Sequence, residues 1–246
     1  MEKIYFKNSN GRKVCGAISN TNSKVAVLIC HGLGGNKDGF KYKLLQKKLT
    51  AAKISSLAID FIGHGESDGE YNDLNLTEAT EDILCAKHEL EKRGYFEVGF
   101  VGYSFGGVGG IMSAAKEQFK FLVLISPPTY YNVREMMKSG IHVLWQMRKT
   151  NKRNPQKKNA RANIKFFKDY GSQDSYAAAE KIKASVLIIQ GDNDKIVPVK
   201  RTIELQKKIK GAKLKLFKGA NHHYINLKGI LIDEIRVFIK KQLKIK

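Results

Sequence analysis

The stretch "GFVGYSFGG", Gly99 to Gly107, sets a polar and potentially reactive side chain among glycines, directly after a short apolar run. Its centre, Gly102-Tyr103-Ser104-Phe105-Gly106, spells G-x-S-x-G. Residues 97–103 read as a strand, and "FGGVGGIMSAAKEQ" reads as a helix despite its glycines. A serine on the sharp turn between them is a nucleophile elbow. The positions two before and two after must be tiny, because any side chain there would meet the adjoining strand or helix. The turn leaves the Ser104 hydroxyl free at a helix N-terminus, where the Phe105 N–H can face a developing oxyanion. The competing reading is a glycine-rich turn with an idle serine.

The surroundings decide between the two. "KVAVLIC" (24–30), "ISSLAID" (54–60), "FLVLIS" (121–126), "SVLIIQ" (185–190) and "AKLKLF" (212–217) are compact apolar runs, the mark of strands buried on both faces. Two short strands near 2–7 and 12–19 precede them. Between the runs lie helical patterns at "DGFKYKLLQKKLTAAK", "NLTEATEDILCAKHELEKRG", "PVKRTIELQKKI" and "GILIDEIRVFIKKQL". Acids gather at the start of the second helix, bases at its end, and Gly94 stops it. Strands alternating with helices predict an α/β fold, a mostly parallel eight-stranded sheet covered on both faces. One interval breaks this rhythm. Residues 127–183 carry no buried-strand signal and are too long for a plain connection, so a helical cap insertion is expected there. The core is then 1–126 with 184–246.

In an open parallel sheet, functional groups gather beyond the carboxyl ends of the strands. A serine needs a base to take its proton, and the base needs an orienting acid. "IIQGDNDKIVP" presents Asp192 and Asp194 after one strand, and "GANHHY" presents His222 and His223 after the last. The order Ser, Asp, His, with each group following a different strand, is the strongest signal in the sequence.

Nearly the whole chain resembles the α/β-hydrolase family. "ICHGLGGNKDGF" is similar to its oxyanion loop, "DFIGHGESDGEY" to its D-x-x-G-x-G-x-S segment, and "VGYSFGG", "IIQGDNDKIVP" and "GANHHY" to its elbow, acid loop and base loop. The combination of HG-x-x-G-N with GHG-x-SDG looks most like cinnamoyl (feruloyl) esterases; monoacylglycerol lipases and the hydrolase domains of prolyl oligopeptidases share parts of it. The resemblance implies a serine carboxylesterase for small aryl or short-chain acyl esters. It assigns Asp194 and His222, rather than their neighbours, as acid and base beside Ser104, and the backbone N–H groups of Leu33 and Phe105 as the oxyanion hole. In the family, a cap shapes the substrate pocket. Trp145, Met137 and Phe166 are the substrate-binding candidates here, against the alternative that they only seal the cap to the body.

Several features point away from other chemistry. His31 and His64 flank glycines in the loops and are expected to bond backbone. The spacing of the histidines fits no metal motif, so neither metal nor cofactor is expected. Cys15, Cys30 and Cys85 form no CxxC and suggest no disulfide framework, and Cys30 and Cys85 lie in apolar contexts as packed thiols. With 44 Lys+Arg against 23 Asp+Glu the net charge is +21. The lysines are spread along nearly every segment, so no nucleic-acid partner is expected. A basic tract, Arg148 to Arg161, is either a solvated face or a guide for anionic substrates. No window approaches the roughly 20 apolar residues of a membrane helix, and the N-terminus reads as a strand and not a secretory signal, which together predict a cytoplasmic enzyme. A homodimer is left open. Acyl thioesterase and monoacylglycerol lipase are the alternative activities. A peptidase would carry an N-terminal propeller, for which this chain has no room, and a non-catalytic binding derivative would be expected to lack part of the Ser-Asp-His set.

Overall fold

The computed structural model describes residues 1–21, 23–130 and 164–245. Eight strands form one sheet in the order β1-β2-β4-β3-β5-β6-β7-β8. They are β1 (Glu2–Lys7), β2 (Lys13–Ser19), β3 (Val25–Cys30), β4 (Ser55–Ile59), β5 (Glu97–Tyr103), β6 (Phe121–Ile125), β7 (Ser185–Gly191) and β8 (Lys213–Phe217). β1 and β2 pair antiparallel, and β2 runs antiparallel to β4. From β4 to β8 every pairing is parallel. The six parallel strands therefore end on a single rim, and loops far apart in the chain meet there.

The apolar runs explain the layering. β3, β4, β5 and β6 are buried almost throughout because helices cover the sheet on both sides. One core packs α2 (Leu76–Lys92), α3 (Phe105–Lys116) and α6 (Val199–Lys208) on one face, through residues such as Leu28, Phe100, Ile83, Val108 and Leu205. The other packs α1 (Phe40–Ala51) and α7 (Lys228–Gln242) on the opposite face, through Val27, Ile29, Leu45, Leu49, Ile235 and Ile239. Asn75 caps α2 by accepting the Glu78 N–H, which satisfies a donor the first turn leaves open. β8 closes one edge of the sheet, and Lys213, Lys215 and Leu216 on it are exposed.

The expected strands recur within a residue or so of their predicted limits. Between β6 and β7 two further helices are described, α4 (Ile164–Gly171) and α5 (Ser175–Glu180), the latter capped by Asp174. Tyr170 donates to the Pro128 carbonyl and Tyr130 N–H to Ser175 Oγ, so this end of the interval is fastened to the segment leaving β6. Trp145, Met137 and the basic tract fall outside the described residues. Among the described residues, no helix is long and apolar enough to cross a membrane.

Candidate active site

The elbow follows β5. Ser104 has φ 52° and ψ −117°, a backbone state that side chains rarely adopt. Its N–H donates to the Ile125 carbonyl (2.7 Å), and its carbonyl accepts from Gly107 (2.9 Å) and Val108 (3.2 Å). Both sides of the strained residue are thus tied down. The two flanking glycines are required by contact. A Cβ on Gly102 would stand 2.6 Å from the Gly106 carbonyl oxygen, and one on Gly106 would stand 2.5 Å from that of His31.

Three loops meet at Ser104. His222, after β8, lies with Nε2 3.0 Å from Ser104 Oγ and Nδ1 2.8 Å from Asp194 Oδ2. Asp194, after β7, spends its other oxygen on the N–H groups of Ile196 (2.8 Å) and Val197 (2.9 Å), while the Gln190 amide donates to Oδ2 (3.0 Å). Burial alone would raise the Asp194 pKa; the His222 imidazole and those backbone donors more than offset it and hold the carboxyl below its usual range. This bonding leaves Nδ1–H of His222 as the donor to Asp194 and Nε2 as the acceptor of the serine proton. Tyr103 hydroxyl donates to the His222 carbonyl, so the residue next to the serine also fixes the backbone of the histidine.

The third loop, after β3, passes close to the serine: a Cβ on Gly32 would lie 3.2 Å from Ser104 Cβ. Two histidines hold this loop. His31 Nε2 accepts the Phe61 N–H (3.1 Å) and Nδ1–H donates to the Gly32 carbonyl (2.8 Å). His64 Nε2 accepts the Gly34 N–H (3.0 Å) and Nδ1–H donates to the Ile62 carbonyl (3.2 Å). Tyr42 hydroxyl accepts from Gly32 N–H (3.3 Å). Among the described residues, neither the Leu33 nor the Phe105 N–H has a hydrogen-bond acceptor. They are two donors left open in the loops that meet at Ser104.

The competing neighbours have other work. Asp192 Oδ1 accepts the Gly219 N–H (2.6 Å) and shapes the loop between β7 and β8. His223 is exposed, its ring centred 5.5 Å from that of His222. Burial, then the charges of His222, Lys41 and Lys228, lower its pKa against a smaller opposing effect of Asp194. Phe166 packs on Phe105 (5.6 Å between ring centres) and on Tyr170 (5.8 Å), so this substrate candidate borders the elbow; Met137 and Trp145 lie outside the described residues.

Sequence reasoning missed Tyr103 and Gln190 as positioning groups. For Tyr103 a signal existed, since the x before the elbow serine leaves the strand toward the neighbouring loop; Gln190 looked like the plain end of a buried strand. It also missed Lys37. Its ammonium is buried between Asp60 (2.9 Å) and Glu66 (2.8 Å), next to Cys15, and so bridges the one cluster of metal-ligating atoms found among the described residues.

A profile of the prolyl oligopeptidase family matches residues 46–246. The chain belongs to that family. It is built on the α/β-hydrolase fold. Est1E from Butyrivibrio proteoclasticus, solved with ferulic acid bound, superposes with a TM-score of 0.81 at 20% identity, covering 98% of this chain and 99% of that one. The Pyrococcus furiosus esterase Pf2001 superposes at 0.76 with 20% identity, over 99% of this chain and 91% of that one. In sequence, an uncharacterized 31.7 kDa protein from the traX-finO intergenic region of Escherichia coli is 30% identical over 103 residues, or 41% of this chain. The matched segment spans 35% of that relative's length. Of the families the motifs resembled, the prolyl oligopeptidase family thus reappears by profile, and the superpositions bear out the α/β-hydrolase fold.

Proposed function

We propose that this hydrolase is a carboxylesterase that cleaves small aryl or short-chain acyl esters through a Ser104 acyl-enzyme. The observation that carries the reading is the continuous relay from Ser104 Oγ to His222 Nε2 (3.0 Å) and from His222 Nδ1 to Asp194 Oδ2 (2.8 Å). Ser104 attacks the ester carbonyl as His222 takes its proton, and the lowered Asp194 carboxyl, ionised at neutral pH, stabilises the imidazolium. The oxyanion falls to the open Leu33 and Phe105 N–H groups; losing one such donor costs about 3 kcal/mol of barrier. His222 then returns the proton to the departing alcohol. A water deprotonated by the same imidazole releases the acid and restores the serine. No step calls for a metal or cofactor.

The ester assignment draws support from the esterase Pf2001 and from ferulic acid in Est1E. We take residues 127–183 as the cap over this site, with Phe166 on Phe105 forming part of the pocket wall, and the enzyme as cytoplasmic. The test is a series of 4-nitrophenyl esters from acetate to decanoate, with methyl ferulate alongside and a fluorophosphonate probe. Short or aryl esters should turn over fastest, the probe should label the wild type alone, and Ser104→Ala should lose at least about 10⁴-fold in kcat. A rate rising toward decanoate would favour the monoacylglycerol lipase reading. Turnover retained in Ser104→Ala would remove the mechanism.

A further inference from the structure

Beside the His222 ring opens a cavity of about 330 Å³, walled among the described residues by Asn193, Lys195, Ile196, Asn221, His222 and His223. This wall contains no carboxylate. Of the two carboxylates beside it in sequence, Asp194 has both oxygens engaged by Ile196, Val197, Gln190 and His222, and Asp192 accepts the Gly219 N–H through Oδ1 (2.6 Å). The donors, by contrast, are unspent. Among the described residues, the exposed Lys195 makes no ion pair and the Asn193 side chain no hydrogen bond. Asn221 Oδ1 accepts the His223 N–H (3.0 Å), which fixes the amide and leaves its NH₂ unengaged among the described residues. Lys228 adds positive charge near His223.

We infer that this cavity is an anion subsite and that the enzyme prefers esters carrying a carboxylate on one half, with Lys195 as the main counter-charge. The inference rests on the esterase reading above and adds the substrate class. An ammonium and two amide N–H donors around a space of this size match a carboxylate's acceptor-only oxygens. A neutral apolar ester would leave the same donors to water and gain nothing from them. The overall charge of +21 adds a long-range attraction for anionic substrates that salt would weaken.

Two matched pairs test this. The first compares mono(4-nitrophenyl) glutarate with 4-nitrophenyl valerate, which puts the charge on the acyl half. The second compares 4-acetoxybenzoate with 4-acetoxybenzamide, which puts it on the alcohol half. In at least one pair, the anionic-to-neutral ratio of kcat/KM should fall about five- to tenfold on Lys195→Ala. Lys195→Glu should lower it further, and raised salt should lower it in the wild type. The pair that responds identifies the half lying in the cavity. Ratios indifferent to Lys195 in both pairs, with the neutral esters still hydrolysed, overturn the subsite and leave the esterase standing. If the wild type hydrolyses none of the four, the esterase reading falls and the subsite with it.

Discussion

Replacing Ser104 by glycine should make the protein more stable than replacing it by alanine, although both variants lose the hydroxyl. At φ 52° and ψ −117° the residue occupies a region that glycine enters freely and alanine does not. The 2.7 Å bond to Ile125 and those from Gly107 and Val108 prevent it from relaxing. Such strain is worth about 1–3 kcal/mol. Glycine gives back about 0.4–1 kcal/mol through the freer unfolded chain. The net advantage of Ser104→Gly over Ser104→Ala is then about 0.5–2 kcal/mol. For a chain of this size each kcal/mol moves Tm by about 2–4 °C, so a gap of about 1–8 °C is expected. Both variants forfeit the hydrogen bond to His222, so that loss cancels in the comparison. Calorimetry of the two, at one pH and buffer, reads the gap directly. An alanine variant as stable as the glycine variant, or more so, would mean that the elbow stores no strain.

Two further outcomes follow from the packing. Gly106→Ala sets a methyl 2.5 Å from the His31 carbonyl and 2.9 Å from that of Cys30. Relief to an ordinary C···O contact needs a shift of about 0.8 Å, at an overpacking cost of about 1–3 kcal/mol. Because the displaced segment leads into Leu33, kcat should fall by about 10²-fold, and a wild-type kcat in this variant would show that the two loops do not bear on each other. Asp82, buried in α2, accepts from the Ile62 N–H (2.9 Å) and the Asn8 amide (2.9 Å); burial outweighs both and raises its pKa to about 7. Between pH 4 and 7 the folded state holds a proton that the unfolded chain has released, so this group's contribution falls as pH rises through that window. Asp82→Asn should therefore gain stability relative to wild type from pH 5 to pH 8, by on the order of a few kcal/mol. Parallel melting curves showing no change in that difference would place the proton elsewhere.

The sheet and its rim were legible because β-branched runs and glycine-bracketed turns are local signals. "KVAVLIC" declares a strand buried on both faces without reference to the rest of the chain, and the parallel order then forces the strand ends together. The choice of Asp194 over Asp192 was harder, since two acids two residues apart look alike in sequence; one turned inward to two N–H groups and His222, the other outward to Gly219. Charge partners across the fold were not legible at all. Nothing local tells that Lys37, one lysine among many, would be buried against Asp60 and Glu66, because that fate depends on loops 23 and 29 residues away. The cavity beside His222 escaped notice for the same reason: Lys195, Asn193 and Asn221 come from two loops that become a wall only when β7 and β8 pair.

The lysines that cap the open end of the sheet have a bearing on crowding. Lys213 and Lys215 stand along β8 where its outward backbone groups could otherwise recruit another strand. Were a second molecule to extend the sheet there, amine would oppose amine along the seam, and the repulsion would discourage the growth of ribbons. The amines of this edge thus disfavour extension of the sheet by a second copy, Lys213 more than Lys215, which also reaches Glu234 (3.5 Å).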